Sequence, residues 1–501
     1  MDPKEIGTDS IDRATGFRNQ QINSNIRDIF IVLIVSWAAR LAFMWLVPAG
    51  ARSFDEVAWE KQAVLFIGGT NPYMADEFFS WPPFWMQMVF ALSKIAIALN
   101  VHFFHVLQIC LIVAESAVIV QVMRLIQRIA PTANARAIVM IGIALNPAPI
   151  LLVCQHCNFD VFIGLWVSLA AASLLRYNAS GNLIDWLCAC MFLGLGILTK
   201  TVPLALVPLL AGGFRKATVT GRFLGTSLVF GPTALGMSII YVLGPAGGMH
   251  VLEYRAKGVY FGFPGLLHGM GLDNFAGCFD CAFYILGIGV MVLTCRYLWE
   301  HNALGNRETI LYIALVFLAI PGLGPGFGSQ YYYWFLPFFV ISYALYGGLW
   351  RKLLIGFAII SAINFIIEYG LNPAYGFNFL YLLSHAHNAH ELDQWTMTTK
   401  NSFCLRVINW EVWMASSSNQ TIERIPLFIA VLTIIAFGGR ILLRNLQDIR
   451  KQVMGLAGVY ALCVGMVFVV AIGTKFLWPP APGAANPNSS QSGQNQNTVQ
   501  N

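Results

Sequence analysis

Two acids stand side by side at Asp55 and Glu56, just after the first long apolar run of the chain. A carboxylate placed there can take the proton of a hydroxyl group, the task of a general base. Three cations are candidates for holding an anion: Arg255 and Lys257 in EYRAKGVYFGF, and Lys200 in GILTKTVPLALVP. Arg255 ranks first, because a guanidinium matches phosphate oxygens in bidentate fashion. His156, Asn158 and Asp160 form a third group within QHCNFD, and Gln330, Tyr331 and Trp334 a fourth within SQYYYWF. Each has a plainer reading. Lys200 also reads as a snorkelling residue or a helix-break partner, and Arg255 as a loop arginine anchored on lipid headgroups. The His-Asn-Asp group also reads as a cap for a helix beginning near Phe159, and the aromatic group as an interfacial belt. Glu60, Asp76 and Glu77 read as acids that solvate a loop.

The elements that must position these residues are membrane spans. Hydrophobic residues make up 57% of the 501 positions and charged residues 11%, against roughly 25% charged in soluble domains. Mean hydropathy is +0.64. So few charges cannot cover the surface of a soluble protein of this size. The apolar residues come in blocks of about 20, the length that crosses a hydrocarbon core of ~30 Å. The expected fold is all-α, a polytopic transmembrane bundle of about 12–13 spans by that measure. Spans are expected near 28–47, 83–100, 104–123, 137–153, 160–176, 183–212, 223–244, 279–298, 309–322, 332–349, 353–369, 426–443 and 455–476. Residues 1–27 form a polar N-terminal segment, so the first apolar run is expected to stay as a span rather than a cleaved leader. The membrane domain covers 28–477, with long external loops at 48–82, 245–278 and 370–425, and 478–501 is expected to be a disordered tail.

Basic loops give the orientation. Arg215, Lys216 and Arg222, then Arg351 and Lys352, then Arg440, Arg444, Arg450 and Lys451 fall on one side, taken as cytoplasmic. The N-terminus is then inside and Asp55 outside. Arg124, Arg128 and Arg136 disagree, because they fall outside in this count. Dividing 183–212 into two spans, with 83–100 lying at the interface, would bring them inside; the sequence leaves this open. After Asp55, the residues Val57, Lys61, Val64 and Leu65 recur at helical spacing and predict an amphipathic helix at the interface. Glu115 falls inside a span, where an unpaired carboxylate is costly, and Arg40 is its expected partner. The pairs Cys154/Cys157 and Cys278/Cys281 read as small apolar helix residues, the second also as a possible disulfide or zinc pair. His385, His387 and His390 lack the acidic or cysteine frame of a zinc site. The net charge of +6 is spread without a dense Lys/Arg stripe, which excludes nucleic acid as a partner.

The order of these motifs resembles that of the GT-C superfamily, integral-membrane glycosyltransferases that use polyprenyl-phosphate sugars. The Asp-Glu of the first external loop, the GTNPY turn ending at Tyr73 and the Trp-Pro-Pro entry to the next span carry the likeness. NPAPILLVCQHCNFD is similar to the family's helix-end stretch between the fourth and fifth spans, and GILTKTVPLALVP to its Gly-x-x-x-Thr-Lys-x-x-Pro segment. EYRAKGVYFGFPGLL opens a large loop where the family often has Tyr-Arg and a Gly-aromatic turn. GSQYYYWFLPF resembles the Gln-Tyr-x-x-Trp-x-x-Pro segment of bacterial members that use polyprenyl-phosphate mannose. Two features depart from the pattern: the first loop has no Asp-x-Asp, and no large soluble domain follows the spans.

The resemblance implies transfer of a hexose, mannose first, from a polyprenyl-phosphate carrier to a lipid-linked or cell-envelope glycan acceptor. Asp55 would be the base and Glu56 its support. Arg255, Lys257 and Lys200 would meet the departing phosphate. His156, Asn158, Asp160, Gln330, Tyr331, Trp334 and Tyr73 would line the substrate. One carboxylate suffices for direct displacement with inversion, whereas hydrolases need two. No cofactor is required, and a divalent cation is left open. The partners implied are the donor, the acceptor and membrane lipids. The host membrane would be a cell inner membrane, or the endoplasmic reticulum in a eukaryote. The rival reading is a transporter or lipid flippase, which would put polar residues at mid-membrane on broken helices; only Glu115 and Lys200 suit it.

Overall fold

A computed structural model of the chain describes residues 5–46, 54–71, 83–243, 273–302, 304–324, 331–365 and 420–445. Tyr73, Arg255, Lys257 and Gln330 lie outside these residues, as do the His385–His390 cluster, the tail from 478 and the last expected span. The described residues contain helices and no strands. They run as α1 (Glu5–Leu46), α2 (Phe54–Ile67), α3 (Pro83–Leu99), α4 (Phe103–Ile129) and α5 (Ala135–Val139), which continues as a π turn (Met140–Ala144). Next come α6 (Pro147–Cys154), α7 (Asp160–Ser180), α8 (Leu183–Thr199), a 3-10 helix (Val202–Leu210), α9 (Ala211–Lys216) and α10 (Val219–Leu243). The last five are α11 (Asp273–His301), α12 (Asn306–Leu323), α13 (Tyr332–Leu345), α14 (Leu349–Phe365) and α15 (Gln420–Asn445). Among the described residues, five helical stretches are long and apolar enough to cross a membrane: Asn25–Trp45, Phe103–Ile129, Asp160–Ser180, Ala282–His301 and Asn306–Leu323. A bent pair, Ala135–Ala144 with Pro147–Cys154, turns by 51° and makes a sixth if taken as one span. The described residues are all helical, and their apolar helices mark a membrane protein.

Local chemistry explains the breaks. Gly181 ends α7 at φ +69°, a conformation that costs glycine little. Asn182 then accepts the Ile184 N–H at 3.1 Å and starts α8, so the two helices reverse tightly. Asn146 caps α6 by accepting the Ala148 N–H at 3.0 Å, with Pro147 at the first helical position, where its missing N–H costs nothing. Pro203 and Pro208 fall in the stretch that winds as a 3-10 helix instead of continuing α8.

α7 is the centre of the bundle: 83% of its apolar window is buried, and it packs on α4, α8 and α13. Specific pairs define two ends. At one end Arg136 meets Asp28 at 3.3 Å, Arg176 meets Asp185 at 2.8 Å, and the Asn178 amide donates to the Leu304 carbonyl at 3.3 Å. At the other, Lys200 meets Asp160 at 3.0 Å, and His102, just before α4, meets Glu60 of α2 at 3.3 Å.

The structure bears on three expectations. At 83–100 the helix α3 has 17 residues and is not among the stretches long and apolar enough to cross. α3 starts with Trp85 stacked on Phe159, ring centroids 4.9 Å apart. It ends three residues before His102, and Gln108, one turn into α4, donates to the Cys154 carbonyl at 2.5 Å. The start of α3 therefore adjoins Phe159, and its end leads directly into the head of α4. Residues 183–212 are two elements and not one, parted at Lys200–Thr201. Arg136, with Arg128 behind it, then lies beside the start of the first span, opposite Lys200. On α2 the apolar residues expected of an interfacial helix face outward. Val57 and Val64 are 53% and 63% exposed, while Trp59, Gln62 and Ala63 are buried. The amphipathic spacing was real, but the apolar stripe looks outward, as a helix beside lipid does.

Trp186, fully buried, is wedged between two glycines. A Cβ on Gly213 would meet its indole nitrogen at 2.1 Å, and one on Gly225 its ring at 2.3 Å. Its N–H donates to the Leu210 carbonyl at 3.2 Å. Gly213→Ala is expected to lower stability by about 1–3 kcal/mol through overpacking. An unchanged melting temperature of the detergent-solubilised protein would contradict this.

Candidate functional site

The link between α6 and α7 carries Gln155, His156, Cys157 and Asn158, all buried. Asn158 accepts the Asp160 N–H at 2.9 Å, so it caps α7 from two residues upstream. That turn aims the Asp160 side chain across to Lys200, the residue at which α8 stops. Both are withdrawn from the surface, with side-chain exposures of 0% for Asp160 and 11% for Lys200. The second carboxylate oxygen, Oδ2, has no hydrogen-bond partner among the described residues.

Three aromatic rings enclose the ammonium. Its Nζ lies 4.3 Å from the Tyr331 ring centroid, 4.8 Å from Trp334 and 5.5 Å from Phe159. Tyr331 and Trp334 are stacked at 4.2 Å, one turn apart where α13 begins. Ring faces are electronegative and stabilise a cation removed from water. Asp160 supplies the opposite charge that such burial requires. Burial pushes the His156 imidazole down to about 3; Asp160 works against that shift and Lys200 adds to it. His156 is therefore neutral near pH 7, a polar lining group and not a further cation.

The cage reaches α2 through a chain of rings. Trp59 makes an edge contact with Trp85 at 5.1 Å and with Phe159 at 6.3 Å. Asp55 lies one helical turn before Trp59 on α2, about 6 Å along the axis at 1.5 Å per residue. Glu56 follows it on the same first turn. The helix that carries the acidic pair is thus anchored one turn from the ring that covers Asp160 and Lys200.

The structure therefore brings His156, Asn158, Asp160, Lys200, Tyr331 and Trp334 together, and it puts the backbone of Asp55 and Glu56 on the first turn of α2, the helix whose Trp59 reaches Phe159. The capping reading of Asn158 is also correct. The reading of Lys200 as a merely snorkelling residue is not, since its ammonium turns inward to Asp160. Glu60 is tied to His102 and is not simply a solvating loop acid. Three residues that the sequence did not single out, Trp59, Trp85 and Phe159, connect the parts. Phe159 stands between Asn158 and Asp160, and a bulky ring inside a polar link was the available signal. Cys154 and Cys157 are buried thiols. Among the described residues no group of three or more His, Cys, Asp or Glu side chains could hold a metal ion. The arrangement offers a buried positive charge, an acid, a neutral imidazole and an aromatic platform at one end of a membrane bundle. No protein-family profile and no curated protein matches the chain.

Proposed function

We propose that the protein is a GT-C-type membrane glycosyltransferase that moves a hexose, mannose first, from a polyprenyl-phosphate carrier to a lipid-linked or cell-envelope acceptor. The observation that supports this reading most is the anchoring of α2, with Asp55 on its first turn, against the aromatic cage around Lys200. On this reading the candidate base rides on a helix tied to the rings around a buried cation, at the end of the bundle where an isoprenoid tail can stay in lipid. Sidedness agrees: Arg136, Arg215, Lys216, Arg351 and Lys352 belong to the opposite end, the cytoplasmic one by the positive-inside rule. The site then faces away from the cytoplasm, and α2 and α3 lie along that membrane surface with Val57, Val64, Ile95 and Leu99 exposed.

In the reaction, Asp55 takes the proton of the acceptor hydroxyl as that oxygen attacks the sugar's anomeric carbon. The bond from that carbon to the phosphate oxygen breaks, and its electron pair leaves on the polyprenyl phosphate. Lys200 supplies fixed positive charge near the departing anion, preorganised because Asp160 and three rings already hold it. Tyr331 and Trp334 offer a flat apolar wall for the sugar ring. Arg255, Lys257, Gln330 and Tyr73 keep the substrate-binding roles that the resemblance gives them, and Glu56 its supporting one. A divalent cation is not needed for this scheme.

The test is transfer of radiolabelled mannose from polyprenyl-phosphate mannose to envelope or lipid-linked acceptors by the purified, reconstituted protein. Transfer by the native chain and its loss in Asp55→Asn are expected; equal transfer by both removes the assignment of the base. The rival, a transporter or flippase, draws support from one feature, the broken helix at α5–α6 with a charged pair beside it at mid-membrane. Movement of a labelled polyprenyl-phosphate sugar across liposomes, with no glycosylated product, would favour it.

A further inference from the structure

The break between α5 and α6 leaves two backbone carbonyls without their helical donors. In an unbroken helix the N–H of residue 147 would bond the Ile143 carbonyl, and that of residue 148 the Ala144 carbonyl. Pro147 has no N–H, and the Ala148 N–H is diverted to the Asn146 side chain at 3.0 Å. In hydrocarbon such orphaned carbonyls are expensive. Arg40, on α1 and fully buried, meets both of them. One terminal nitrogen donates to the Ala144 carbonyl at 2.7 Å and the other to the Ile143 carbonyl at 3.4 Å. The same guanidinium donates to the Ser36 carbonyl at 3.1 Å and to both oxygens of Glu115 on α4, one of them at 2.6 Å. Glu115, also fully buried, neutralises the cation and accepts the Tyr333 hydroxyl at 3.3 Å. Tyr333 lies next to Trp334 and packs against the backbone of α7 at Gly164, where an added Cβ would come within 3.1 Å of its ring.

We infer that Arg40, Glu115 and Tyr333 are positioning residues that hold the 51° break and, through it, the aromatic cage around Lys200. Arg40 fixes the point from which α6 departs, and α6 delivers His156 and Asn158 to the head of α7. Glu115 ties α13 to the same point through Tyr333, one residue from the indole that covers Lys200. Only a planar group with several donors reaches two carbonyls and a carboxylate at once, which is why an arginine stands at position 40. The inference concerns the shape of the site and does not depend on which ligand it takes.

The experiment pairs Arg40→Met with Glu115→Leu in one chain, which removes both buried charges together and avoids an unpaired ion. In detergent or nanodiscs the double variant should fold but lose the restraint. Backbone amides 140–158 should exchange deuterium at least tenfold faster, and Lys200 should be acylated at least tenfold faster by an amine reagent, read by mass spectrometry. A folded double variant in which both stay at native rates overturns the inference. If that variant does not fold, Arg40→Lys decides. It keeps the charge pair but lacks the fork, so the same two rates should rise with the melting temperature nearly unchanged, and native rates again overturn the inference. Both readouts are independent of sugar transfer, so they stand apart from the outcome of the transfer assay.

Discussion

Lys200→Met is expected to cost about 3–5 kcal/mol of stability, because it leaves the Asp160 carboxylate buried and uncompensated. Asp160 is fully buried and pairs with Lys200 at 3.0 Å. The three rings that now face a cation would face the carboxylate instead, with the wrong sign for their negative faces. The effect separates into a charge part and a packing part. Lys200→Met with Asp160→Leu removes both ions and keeps apolar volume, so it should recover most of the lost stability. Unfolding curves of the native protein, both single variants and the double variant give the coupling between the two positions. A double variant as unstable as the worse single one would show that the pair is not the source. Sugar transfer should be lost in both Lys200→Met and the double variant, since neither retains the cation proposed to face the leaving phosphate.

Asp55→Asn has the largest expected effect on rate, a fall of about 10²–10⁴-fold, the usual contribution of a general base. The amide has nearly the same size and keeps hydrogen bonding to the acceptor hydroxyl, but it cannot take the proton. The loss should appear in kcat with little change in KM, because the base acts in the transition state and not in ground-state binding. Melting temperature should stay close to native, since Trp59, packed on Trp85 and Phe159, holds α2. A rise in KM with kcat preserved would recast Asp55 as a binding residue.

Much of the fold was legible because lipid leaves a chain few choices. Apolar runs of spanning length had to be helices, and a lone Glu115 inside one of them had to find a cation. Arg40, the expected partner, does pair with it. The side that carries Arg136 was not legible. Hydropathy alone does not separate a helix that crosses from one that lies along the surface, and α3 is apolar enough for either.

Composition and span length thus determined that this protein is an all-helical membrane protein, and residue type determined which side chains could act as base, cation or aromatic wall. The tertiary structure alone decided that Asp160 and Lys200, 40 positions apart, form one ion pair under Phe159, Tyr331 and Trp334. It alone decided that Trp59 of α2 packs on Phe159, one of those rings. Burial in a low-dielectric bundle rewards only charges that meet, and where two helix ends meet is set by the packing of α4, α8 and α13 on α7, which no local pattern in the chain records.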